Sequence, residues 1–217
     1  MRENRKLGPL FLVKGVRRVD EAEKVLTMGH HYFRHEEMEI FVPESRLQEA
    51  VDVLRCATAV FAGEDRPVPA DIETKLRARG LFDELLRHRG TYTQHYPLFF
   101  RRLLPEDTLI SMASAAEEPS YSISIFTYNR PGNRKEYYTF CSWLARCMSS
   151  LVGARLHWGK HFPLGAVETA RAYPHLETFT QMCANTDPGG VFHNDYTERV
   201  LGLPAVHPEG RRGSPPA

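Results

Sequence analysis

Tyr121-Ser122-Ile123-Ser124-Ile125-Phe126-Thr127-Tyr128 is the stretch that decides the fold. Tyr121, Ile123 and Ile125 alternate with Ser122, Ser124 and Phe126. A period of two places alternate side chains on opposite faces, so the segment is a strand. Upstream, residues 36–43 (EEMEIFVP) show the same pattern, with Glu37 and Glu39 alternating with Met38 and Ile40. This predicts a second half-buried strand, ended by Pro43, which has no N–H for a ladder. Residues 94–104, aromatic and aliphatic between polar flanks, make a third strand, and Arg155–His157 a short fourth.

Between the strands the period changes to that of a helix. Glu44 and Ser45 open a segment whose Leu47, Ala50, Val51, Leu54, Ala57 and Phe61 fall on one face. Gly63–Pro69 is a loop. Asp71–His88 carries Ile72, Leu76, Leu81, Leu85 and Leu86, with Gly80 as an interruption. Asn129–Asn133 forms a Pro-Gly turn. Residues 134–152 form a helix with Tyr138, Cys141, Trp143 or Leu144, Cys147 and Leu151 inward. Residues 166–184 form another, kinked or split at Pro174. The order predicts an α+β domain: a mainly antiparallel sheet with helices on one face. Residues 1–30 give no firm pattern beyond a charged surface segment, 31–203 form the domain, and the Pro/Gly-rich tail 204–217 is expected to be disordered.

Composition narrows the function. The chain has 217 residues, 42% of them hydrophobic, and a formal net charge of +1. That length supports a proper core, and the charge balance gives no footprint for nucleic acid. No apolar run approaches the roughly 20 residues of a membrane helix, and the N-terminus lacks a signal-peptide core. A cytoplasmic location follows. The cysteines, Cys56, Cys141, Cys147 and Cys183, form no CxxC pair and read as buried reduced thiols. His30, His31 and His35 make only a weak HHxxxH match, read as surface histidines, so no metal site is expected. There is no Gly-rich dinucleotide fingerprint and no phosphate loop.

Two motifs near the C-terminus are more specific. His157-Trp158-Gly159-Lys160 is followed, after a helical stretch, by Asp187-Pro188 to Phe192-His193-Asn194-Asp195-Tyr196. Three earlier blocks accompany them: Phe33-Arg34-His35-Glu36-Glu37-Met38-Glu39 with Val42-Pro43; His95 to Arg101 followed by Glu106, Asp107 and Ser111; and Thr127-Tyr128 before Arg130-Pro131-Gly132. In this order they resemble the C-terminal part of the sugar-lactone and alditol oxidases. These flavoproteins of the vanillyl-alcohol oxidase type include the L-gulonolactone and D-arabinono-lactone oxidases. The resemblance covers residues 30 to 203. It implies a cap domain whose tail returns to FAD, and an enzyme that oxidises a CH–OH group of a sugar lactone or polyol, passing electrons through flavin to oxygen. It also implies that this chain begins after the family's flavin-binding domain. FAD would then be held mostly by that domain as a separate partner, and the alternative is a truncated or split, non-catalytic domain. Peripheral membrane association is a further implication of the family.

The resemblance also assigns roles. Lys160 would be catalytic, a fixed cation beside the flavin that stabilises the reduced ring's charge. The alternative is a solvated surface lysine, and on either reading its loss is expected to change stability within about 0.5 kcal/mol, as for an exposed residue. His157 and Trp158 would contact the flavin, or form a packed core pair. Arg101, catalytic and substrate-binding, would hold a substrate oxygen through its planar fork, or pair with Glu106 or Asp107. Thr127 would line the substrate pocket. Asn194 and Tyr196 would contact the flavin or its domain, with Asn194 as an Asx cap on a short 195–201 helix as the structural alternative. The chain departs from the family pattern in two places. Phe99 stands where the family has a glutamate two residues before the arginine, and Ile125 where some members have a histidine. Both losses point away from a highly hydroxylated substrate.

Overall fold

The computed structural model describes Glu21 and residues 34–114, 116–128 and 134–204. The expected charged N-terminal segment, His30 and His31, the Asn129–Asn133 turn and the C-terminal tail lie outside those residues. Within them, four strands form one antiparallel sheet: β1 (His35–Pro43), β2 (Phe99–Leu103), β3 (Ser120–Tyr128) and β4 (Arg155–Leu156), in the order β2-β3-β1-β4. The helices are α1 (Leu47–Phe61, after a 3-10 turn at Glu44–Arg46), α2 (Ala70–Arg77), α3 (Phe82–Arg87), α4 (Arg134–Val152), α5 (Ala166–Ala172), α6 (Leu176–Thr186) and α7 (Asp195–Leu201). The α+β reading holds.

The register explains the core. Met38 faces Ile125, Ile40 faces Ile123, and Val42 faces Tyr121 across β1 and β3. Paired side chains share a face, so these apolar residues form one sheet surface, and α1 and α4 cover it. Tyr137 and Trp143 anchor α4. The Tyr137 hydroxyl donates to Ile125 O at 2.8 Å and the Trp143 indole to Leu81 O at 3.1 Å. Both rings are fully buried, so their polar atoms need those partners. Tyr137 takes the innermost place expected of Tyr138, which is half-buried beside it.

Gly80 and Pro174 divide the helices as their chemistry requires. Gly80 adopts φ +67° between α2 and α3, a left-handed conformation open to glycine. Tyr173, immediately before Pro174, is extended (φ −123°, ψ 102°) and separates α5 from α6. The third strand is shorter than expected. Pairing starts only at Phe99, and the Gln94 amide bonds Tyr96 O and Phe126 O instead of continuing a ladder. Pro97, lacking an N–H, sits where pairing would otherwise extend. β1 and β3 are also more than half-buried: Glu39, Phe41, Ser122 and Ser124, on the face away from α1 and α4, are buried as well.

All four cysteines are free thiols, and Cys56, Cys141 and Cys147 are buried. Burial pushes the Cys147 thiol up to about 12, and Cys141 is raised further by the same cause, so neither is a ready nucleophile.

Candidate active site

The second sheet face carries the chemistry. The pairings align Phe99 with Ser124 and Glu39, and Arg101 with Ser122, Phe41 and Arg155. Glu37 lies two residues from Glu39 and therefore on the same face.

The HWGK turn delivers Lys160 to this face. β4 pairs with β1 through Leu156 and Ile40, and the ladder continues as His157 N donates to Glu39 O at 3.0 Å. The chain then leaves the sheet in a turn, with Lys160 N bonded to His157 O, and returns as His161 N donates to Glu37 O at 3.0 Å. Two side chains brace this excursion. His157 Nδ1 accepts the Gly159 N–H at 3.0 Å, which places the ring proton on Nε2. The Trp158 indole donates to Ile110 O at 2.8 Å and stacks on Phe162 at 5.1 Å, with Tyr173 at 5.0 Å on a tilted contact.

Lys160 Nζ lies 2.6 Å from both Glu37 Oε1 and Glu39 Oε2. Its side chain is 20% exposed, against 13% for Glu37 and 4% for Glu39. This corrects the solvated-lysine reading: Lys160 is clamped by a buried carboxylate, Glu39, and a half-buried one, Glu37, and its loss would strand them. Arg101 Nη1 is 3.4 Å from Glu39 Oε1, so its partner is Glu39 rather than Glu106 or Asp107. Glu106 instead takes a hydrogen bond from the Ser111 hydroxyl. Burial tends to raise the Glu39 pKa. Hydrogen bonding from Lys160, with the charges of Lys160 and Arg101, outweighs it and holds the carboxyl below its usual range. Two cations thus face two anions, with donors left over: Lys160 has three N–H groups and spends two here, and most of the Arg101 fork has no partner among the described residues.

The remaining expected residues divide. Phe99, 51% exposed, sits on this face with its ring edge-on to Phe126 at 5.6 Å. Thr127 does not join it. One residue out of phase with Ser124 and Phe126, it lies on the helix-covered face and is fully buried. Asn194 caps α7: its Oδ1 accepts the N–H groups of Tyr196 at 3.0 Å and Thr197 at 3.1 Å, while Thr197 Oγ1 accepts from Asn194 N. Gly202 ends that helix at φ +70°, and a Cβ there would meet Ala166 at 3.3 Å. The Tyr196 hydroxyl donates to Trp158 O at 2.6 Å. Trp158 and Tyr196 therefore spend their polar side-chain groups on holding the turn, and the Asn194 oxygen is spent on the α7 cap. Sequence reading passed over the two carboxylates that orient Lys160 and Arg101. The signal was present, because Glu37 and Glu39 alternate with Met38 and Ile40 and must share the polar face.

His35 contacts the Phe126 ring edge-on at 5.4 Å, and no group of three His, Cys, Asp or Glu among the described residues could hold a metal ion. No helix among the described residues is long and apolar enough to cross a membrane.

With this sheet and charge cluster in view, the class is plain: a family model described as D-arabinono-1,4-lactone oxidase matches residues 8–200, and the chain belongs to that family. It is 38% identical over 197 residues to a long-chain alcohol oxidase from an uncultured marine euryarchaeote, covering 91% of this chain and 41% of that protein. It is 30% identical over 119 residues to an L-gulono-1,4-lactone dehydrogenase of Mycobacterium tuberculosis (strain CDC 1551 / Oshkosh), covering 55% and 26%. A bovine L-gulonolactone oxidase is 29% identical over 109 residues, covering 49% and 24%. The chain spans less than half the length of these relatives.

Proposed function

We propose that this chain is the substrate-binding part of an FAD-dependent oxidoreductase that oxidises a CH–OH group. The observation that carries the reading is the Lys160–Glu37–Glu39–Arg101 cluster on one sheet face. It fits a ring that gains negative charge on reduction and an alcohol, because it offers N–H donors with no partner among the described residues, held in place by Glu37 and Glu39. FAD, when bound, supplies the two-electron acceptor, and a separate flavin-binding domain would hold most of it. Lys160, with His157 Nε2–H, would face the ring.

The chain's own residues do the rest. Glu39 is held ionised at a low pKa, which makes it a poor general base and a good anchor. It fixes the direction of Arg101 and Lys160. The Arg101 fork would then bind the alcohol oxygen and favour negative charge on it as the hydroxyl proton passes to water, while the third Lys160 N–H is left for the ring. Fixed donors of this kind need no reorganisation as the charge forms.

Phe99 narrows the substrate. A site that keeps an arginine but has an apolar ring in place of a carboxylate has one fewer acceptor for sugar hydroxyls. We infer an alcohol with fewer hydroxyls than a lactone or alditol, and the likeness to a long-chain alcohol oxidase supports this choice.

The test is flavin reduction in a complete enzyme, with this chain fused to or mixed with a matching flavin domain. Lys160→Ala and Arg101→Ala should each slow anaerobic reduction by an alcohol by about 10²-fold. Wild-type reduction rates in both variants would refute the assignment.

A further inference from the structure

We propose that a second cleft, at the Pro43–Ser120 end of the sheet, binds a small organic anion: a carboxylate or phosphate group on a short apolar body. The cleft holds about 680 Å³, within the range of small-molecule sites. It lies between β1 and β3, the C-terminal end of α4, and α5.

Arg155 is the central observation. Its Nε donates to Ala172 O at 2.9 Å, and its Nη1 to Ser114 O at 2.6 Å. Its guanidinium carbon lies 4.6 Å from the centre of the Tyr173 ring. Every one of these partners is neutral, and no carboxylate of a described residue forms an ion pair with it. Burial pulls its pKa down, the mark of a cation short of compensation. A half-buried charge of this kind is favoured by a counter-charge, and Nη2 has no partner among the described residues.

Two further arginines line the same cleft without a carboxylate partner among the described residues. Arg171 stands in the last turn of α5, and Arg79 donates to Ser150 O at 3.4 Å. The cleft's other charges are accounted for locally. Arg146 is bidentate to Glu84, Glu118 accepts both the N–H and the hydroxyl of Ser45, and Glu168 accepts Gly165 N at the start of α5. Glu117 is exposed at the rim. Phe41, Leu81 and Met112 supply apolar wall. Three guanidinium groups with no carboxylate partner among the described residues, beside an apolar wall, suit an anion with a hydrocarbon body, since arginine forks bind carboxylate and phosphate through paired donors.

The proposal does not rest on the oxidase reading, because no flavin enters the measurement. The full chain is titrated calorimetrically with octanoate, octyl phosphate and 1-octanol. One or both anions should bind saturably while the neutral alcohol does not, and whichever anion binds more tightly identifies the head group. Arg171→Gln lies on the helix surface and should leave the melting temperature unchanged while weakening the anion by about tenfold, as for the loss of a charged hydrogen bond. Arg155→Lys should weaken it as well, with a wild-type far-UV spectrum. Equal affinity for octanol, absence of saturable anion binding, or wild-type affinity in Arg171→Gln would each overturn the proposal.

Discussion

Lys160→Met tests the electrostatic structure of the candidate site most directly. The substitution keeps a long unbranched side chain and removes the charge. It leaves Glu37 and Glu39 on one strand face with their lysine-bound oxygens no more than about 5 Å apart, since each lies 2.6 Å from Nζ. At an effective dielectric constant near 20, two like charges at that distance repel by about 3 kcal/mol. In the wild type Lys160 bonds both at 2.6 Å, and afterwards the cationic partners left among the described residues are Arg101, at 3.4 Å from Glu39, and His35, when protonated, at 3.9 Å from Glu37. An exposed pair would cost at most about 1 kcal/mol, and a broken buried pair about 3–5. Carboxylates exposed 13% and 4% lie near the buried limit, so the expected loss at pH 7 is about 3 kcal/mol. The pH dependence carries the sign. Wild-type Glu39 has a depressed pKa, so it contributes stability above its unfolded value, and that contribution is lost as pH falls through the folded value. In the variant the lysine no longer opposes desolvation, Glu39 takes up a proton more readily, and the deficit shrinks toward pH 4.5. Urea unfolding followed by circular dichroism at pH 7 and pH 4.5 measures both. A loss within about 0.5 kcal/mol at pH 7 would show a solvent-screened lysine. A deficit of equal size at both pH values would show that lost contacts, not charge, set the cost.

Three further outcomes follow from the same structure. Burial lowers the His161 pKa against the opposing charge of Glu36, so the unfolded chain binds the extra proton first and stability falls as pH drops below about 6.5; unfolding free energies at pH 7.5 and 5.5 should show a smaller drop in His161→Gln, and identical drops would refute this. Asn194→Ala removes the acceptor of two backbone N–H groups and should cost about 1 kcal/mol by urea titration, an unchanged midpoint being the contrary result. Phe99→Glu, in the chain joined to a matching flavin domain, should raise turnover of sugar lactones relative to simple alcohols; efficient lactone oxidation by the Phe99 form, with no gain from glutamate, would show that this position does not select the substrate.

The sequence by itself determined whatever depends on a few neighbouring residues. Period-two alternation identified β1 and β3 and assigned Met38, Ile40, Ile123 and Ile125 to one face. Gly80 and Pro174 divided their helices because a left-handed glycine and a pre-proline residue act on the backbone where they stand. Asn194 capped α7 for the same local reason. Four spaced motifs were enough to indicate the family, because a resemblance requires order and spacing rather than contacts. Tertiary structure alone decided which groups meet. Lys160 reaches Glu37 and Glu39 across more than a hundred residues only because β4 pairs with β1 in one register, and sheet order is a non-local outcome. Thr127 illustrates the sensitivity: a single step in strand parity sends its side chain to the helix side, while Arg101 and Phe99 stay with the charge cluster. Arg155 reads in sequence as one more basic residue beside a motif. It becomes a candidate anion ligand only where the folded chain surrounds it with carbonyls and an aromatic ring and brings no carboxylate of a described residue into ion-pairing range.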